Sequence, residues 1–232
     1  MAGLWWITVT MVFCLPAGSL AQIDQKQLEG LVKQIRTNIK YEYNINTMYA
    51  VAASIPKNQN QLSYDLTKVM PNPQTNWNDD ILTTPRLVVA TKKDVTNNNG
   101  KYLYAEHAEW RLLQNLNLEG QDGDLLVFFS YASPCLTSCA DPKGNYKITD
   151  GLKTLFKKHV WGEKAFVFEV IFKPRGQDID PDAIKHSTTE ALTNIGNSIG
   201  RENIFRCYRD KYGNYRCVRC FDGNQIDQNC IS

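Results

Sequence analysis

The chain has 232 residues, a formal charge of +2, 43% hydrophobic residues and seven cysteines. That length suits one α/β domain with a full core, plus a small appendage. The near-neutral balance excludes attraction of nucleic acid by a global basic field, so any such attraction must be local.

Residues 1–21, MAGLWWITVTMVFCLPAGSLA, carry no charge, run apolar through the middle and end in small residues. Ser19 and Ala21 occupy the −3 and −1 positions of a cleavage site before Gln22. This is the pattern of a secretory signal peptide, lacking only the basic start. As a membrane anchor the run is short, and Pro16 and Gly18 interrupt it. No later segment reads as a membrane span, so the expected product is secreted and extracellular, with no membrane partner.

Leu28, Leu31, Val32, Ile35 and Ile39 mark one apolar face of a helix over 24–40. Residues 43–56 read as a first strand that stops at Pro56. The segment 57–80, rich in Asn, Gln and Pro, reads as a long irregular excursion, a groove or a lid. RLVVATK (86–92) is a second strand, TNNNG (96–100) a turn, and a helix is expected from Ala105. LLVFFSYA (125–132) is a continuous apolar run, as in a strand covered on both faces. A short helix is expected from Thr149, a strand over 164–172, and a helix over 181–196 behind the capping Asp180. Alternation of this kind predicts a sheet sandwiched by helices, its later strands parallel.

The remaining residues, 201–232, form a cysteine-rich, locally basic extension. Tyr212-Gly213-Asn214-Tyr215 signals a hairpin. Residues 201–220 hold six basic and two acidic residues, with Tyr208, Tyr212 and Tyr215 interleaved. That pattern suits a phosphate backbone, and equally a solvated disulfide hairpin. Six cysteines remain once Cys14 leaves with the signal peptide. An oxidising compartment favours two disulfides among Cys207, Cys217, Cys220 and Cys230, in any of three connectivities, over a four-thiolate metal site.

The other two cysteines stand in SPCLTSC, after the buried strand. His107-Ala108-Glu109 stands where a helix is expected to begin. One histidine nitrogen with the thiolates of Cys135 and Cys139 suits zinc and leaves a fourth tetrahedral position open. Glu109 reaches the same spot only if the site lies off the helix end.

His-x-Glu followed by Pro-Cys-x-x-x-Cys resembles the signature of zinc-dependent deaminases, one residue longer between the cysteines than the strict form. Phe129-Ser130-Tyr131-Ala132-Ser133-Pro134-Cys135 is similar to the aromatic-Ser-Pro-Cys entry of the AID/APOBEC group, with Ala132 where tryptophan is usual. The chain thus resembles a secreted AID/APOBEC-like deaminase, with the deaminase domain over 22–200. The resemblance implies a three-layer α/β/α fold of the cytidine-deaminase type with a central mixed five-stranded sheet, followed by a disulfide-bonded tail. It implies zinc on His107, Cys135 and Cys139, with Glu109 moving protons. The implied substrate is cytosine in single-stranded DNA or RNA, and the implied setting is extracellular immune defence. Free cytidine, and a non-catalytic binding protein on a zinc-stabilised scaffold, are the alternatives. Candidate substrate contacts are Ala108, Tyr131, Ser133, Thr47 and Arg175, with Tyr102 and Tyr104 at the mouth. The sequence is silent on oligomeric state.

Overall fold

The computed structural model describes residues 23–58, 63–71, 77–174 and 179–232. The signal-peptide segment and Arg175 lie outside these residues.

Helix α1 (Gln25–Thr37) starts at Asp24, whose carboxylate accepts from the Gln27 amide at 2.9 Å. It buries Leu28, Leu31, Val32 and Ile35, the face expected from their spacing. Strand β1 (Tyr49–Ile55) follows, then β2 (Ile81–Thr83) and β3 (Leu87–Thr91). A separate hairpin, β4 (Lys93–Thr96) and β5 (Tyr102–Glu106), leads into α2 (Ala108–Gln114). Next come β6 (Asp124–Ala132), α3 (Thr149–Lys157), β7 (Trp161–Val170) and α4 (Pro181–Ile199). α4 ends at Gly200, whose φ of 88° lies in the left-handed region that glycine enters without penalty. The tail supplies β8 (Ile204–Arg209) and β9 (Tyr215–Arg219).

The main sheet runs β9-β8-β7-β6-β1-β3-β2. It has seven strands, not the expected five. The tail hairpin does not hang free: β8 pairs parallel with β7, and β9 closes that edge. At the other edge, β2 emerges from a stretch read as irregular and pairs with β3. Only β6–β7 and β7–β8 are parallel; the other four pairings are antiparallel. Parallel pairing is therefore confined to the centre of the later strands.

Alternation along the strands divides the core in two. Ala50, Ala52, Leu126, Phe128, Phe166 and Phe168 face α2, α3 and α4. Val51, Ala53, Val127, Phe129 and Val167 face α1. The three-layer arrangement follows, with α1 as the α-helix on one side among the described residues. Phe128, Phe129, Phe166, Phe168 and Phe205 are fully buried, each contributing about 2 kcal/mol by leaving water. The described parts of 57–80 place Tyr64, Leu66 and Val69 in the α1-side cluster. Those residues complete a core and form neither groove nor lid over the helix-rich face.

The four tail cysteines form two disulfides, Cys207–Cys217 and Cys220–Cys230. The first joins directly opposed residues of β8 and β9. The second is fully buried and packs with Phe221 and Ile231 into the helix-rich core.

Candidate metal centre

Strand β6 delivers the chain to the site. At its end, the Ser133 amide donates to Val170 O at 2.8 Å, and Ser133 Oγ accepts from the Phe172 amide at 2.9 Å. These bonds clip the ends of β6 and β7 together. Beyond Pro134, Cys135 keeps an extended backbone and heads a single wide turn, Leu136–Ala140. In this turn the Ala140 amide reaches Cys135 O at 3.0 Å, and the Asp141 amide reaches Leu136 O at 2.8 Å. Both bonds span five residues, the π-helical spacing. The extra residue between the cysteines is absorbed there, and the two Sγ atoms lie 3.2 Å apart.

His107 is the N-cap of α2, extended at φ −73° and ψ 145°. The helix begins three residues later than expected because β5 runs to Glu106. An extended N-cap frees His107 from helical periodicity, so it and Glu109 reach one place although two residues apart. Its Nδ1 lies 2.9 Å from Cys139 Sγ and 3.6 Å from Cys135 Sγ. The three donor atoms fall within 4.8 Å of one another, a group able to hold a metal ion. The hydrogen bond with Cys139 and the adjacent imidazole hold the Cys135 thiol far below the usual range. The same thiol contact, with burial, pushes Cys139 up, and the contact with Cys135 raises His107. The trio is thus already disposed to carry a thiolate.

Glu109, in the first turn of α2, is buried beside the trio. Burial raises its carboxyl above the usual range. Ser130 Oγ lies 2.7 Å from Glu109 Oε1 and 2.7 Å from Ala132 O. One hydroxyl proton cannot serve both acceptors. With Glu109 protonated, its proton goes to Ser130 and the Ser130 proton to Ala132 O; with Glu109 ionised, Ser130 donates to the carboxylate. The pair therefore fits either state of Glu109.

A cavity of about 670 Å³ opens onto this centre. His107, Glu109, Cys135, Ala108 and Ser133 line it, as does Tyr102 on the hairpin. Tyr104 instead stacks on Tyr146, which meets Trp110 edge-on. Tyr131 points to the other face of β6, its ring 5.6 Å from that of Tyr49. Strand alternation forces this once Ala132 faces the cavity. Thr47 is exposed and lines a separate pocket on the α1 side. Sequence reasoning missed Ser130, Met48, Lys92 and Phe172. Ser130 left one signal, a hydroxyl within an apolar strand; the others come from loops and strand ends with no distinctive pattern.

The basic residues of the tail are largely engaged within the fold. Arg206 donates to Glu169 O and Ser232 O, Arg209 to Gly213 O, and Arg216 pairs with Asp210. Arg201 lies over Phe221, Lys211 over Tyr212 and Arg219 over Phe205. This arrangement favours the disulfide-hairpin reading of the tail over a phosphate-binding surface.

No helix among the described residues is long and apolar enough to cross a membrane. No curated protein and no solved structure matches the chain. One protein family does, and its match covers residues 26–232, from α1 through the disulfide-bonded tail. With a His-Cys-Cys cluster, a buried glutamate and two disulfides inside that span, the chain belongs to the family described as Secreted Novel AID/APOBEC-like Deaminase 1.

Proposed function

We propose that the protein is a zinc-dependent hydrolase acting outside the cell, converting cytosine to uracil in single-stranded polynucleotide. The observation that carries this reading is the meeting of His107, Cys135 and Cys139 with buried Glu109, where His107, Glu109 and Cys135 line an open cavity. An imidazole nitrogen and two thiolates suit zinc and leave one position open. A bound zinc ion supplies the Lewis acidity that readies water for attack near neutral pH. Glu109 takes a proton from the water as its oxygen adds to C4 of the base. It delivers that proton to N3, then passes the remaining O–H proton to the amino nitrogen; the C4–N4 bond breaks, ammonia leaves, and the C4 carbonyl of uracil forms. Ser130 holds Glu109 Oε1 in place through both states. Ala108 and Ser133 wall the base site.

The cavity is also lined by Tyr102, by Lys173 and by Lys92, whose Nζ pairs with Asp94 Oδ1 at 2.6 Å. The aromatic face of Tyr102 with the Lys173 cation supports an unstacked base followed by a phosphate. The deciding assay compares cytosine deamination in single-stranded DNA, single-stranded RNA and free cytidine, for wild type and Glu109→Gln, with zinc measured on both. Wild type makes uracil in a polynucleotide, and Glu109→Gln loses at least about a hundredfold in rate while keeping its zinc. Product from cytidine alone reassigns the substrate to the free nucleoside. Absence of product with zinc bound leaves the non-catalytic scaffold.

A further inference from the structure

A second pocket, of about 400 Å³, lies on the α1 side of the sheet. Arg36, Lys40, Asn46, Thr47, Tyr49 and Tyr131 line it, and no carboxylate does among the described residues. Met48 lines both this pocket and the metal cavity, so the two adjoin at the start of β1. Arg36 is fixed from behind: its Nε donates to both carboxylate oxygens of Glu169, at 2.8 and 2.7 Å. The Glu169 side chain is only 8% exposed.

The local charge does not balance. Arg206 and Arg209 also act on Glu169, and Arg206 Nε donates to its carbonyl at 3.0 Å. Arg206 and Arg209 act from outside the pocket; within it, Arg36 and the exposed Lys40 are two cations that no lining carboxylate faces among the described residues. A half-buried guanidinium and an exposed ammonium on one pocket wall, with the Thr47 hydroxyl and the Asn46 amide beside them, favour an anion that accepts several hydrogen bonds.

We propose that this pocket is an oxyanion site that takes a phosphate group. The phosphate is either a phosphodiester of a bound strand, reaching past Met48, or that of a free small molecule.

Inorganic phosphate is the probe, titrated into the full chain with and without zinc, following phosphorus NMR line width and the thermal midpoint. Saturable binding that does not depend on zinc is expected. Lys40→Ala weakens it about tenfold, the loss of one charge-assisted hydrogen bond; adding Thr47→Val weakens it further. Lys153→Ala, at an exposed position of α3, leaves it unchanged. Equal affinity in wild type and the double variant, or no saturable binding, overturns the proposal. The source is read from deamination. A Lys40→Ala defect on oligonucleotide but not on cytidine assigns the phosphate to the substrate strand. Phosphate binding with no defect on either assigns it to a free ligand. Binding is measured without turnover, so a protein that deaminates nothing refutes the proposed reaction and leaves the oxyanion site standing.

Discussion

Ser130 shows how one hydroxyl conditions the site. It is 1% exposed and bridges Glu109 Oε1 to Ala132 O. Ser130→Ala leaves a buried carboxylate without this partner but touches no metal donor. The expected result is a kcat about ten- to a hundredfold lower with zinc content unchanged, and recovery in Ser130→Thr. Loss of zinc in Ser130→Ala would show that the hydroxyl maintains the ligand trio instead. His107, Glu109, Cys135 and Cys139 were legible because each is a reactive residue type at a spacing that strand and helix ends explain. Tyr131, expected to contact substrate beside the metal motif, lies on the other face of β6 for a physical reason. LLVFFSYA is buried on both faces, so no polar alternation shows which parity faces the metal.

At the scale of elements, α2 is fastened through Arg111, itself 2% exposed. Its guanidinium donates to Thr91 O at 2.7 Å and to Asp79 Oδ2 at 2.9 Å, and it also bonds Asp79 O. Asp79 and Asp80 take left-handed backbone angles there, with φ of 50° and 58°. One buried cation thus ties the helix carrying Glu109 to β3 and to the turn before β2. Arg111→Ala strands several of these acceptors. It is expected to destabilise the fold by about 3 kcal/mol and to loosen zinc, read by chemical denaturation and by competition with a chelator. Destabilisation with unchanged zinc affinity would separate the anchor from the site. The helix itself was legible from Ala108, Leu112 and their neighbours. The hairpin before it was only half so, because TNNNG marks its turn while its mostly exposed strands bury no stripe that periodicity could detect.

Over the whole molecule, three layers were readable from alternating strand and helix patterns, but the width of the sheet was not. β8 joins β7 through backbone bonds, which leave no trace in side-chain pattern, and its cysteines suggested a separate appendage. The two disulfides now have unequal tasks. Cys207–Cys217 joins strands already held by a five-pair ladder, Phe205–Arg209 against Tyr215–Arg219. Cys220–Cys230 pins a segment whose own pairing is two residues long, Phe221–Asp222 with Gln225–Ile226. Both links span the same sequence separation of 10 residues, so chain entropy alone gives each about 3 kcal/mol. The difference must come from what each holds in the native state. Without Cys220–Cys230, Ile231 is free to leave the helix-rich core, and with it the wall it forms beside Val170 and Ile171, residues that also border the metal cavity. Replacing Cys220 and Cys230 by alanine is therefore expected to lower Tm by roughly 5–10 °C and to speed proteolysis after residue 220. The matching change at Cys207 and Cys217 should cost less and leave the 221–232 segment protected. Equal losses in Tm, with equal protection of that segment, would mean that the β8–β9 ladder holds the tail and the buried disulfide adds only chain entropy.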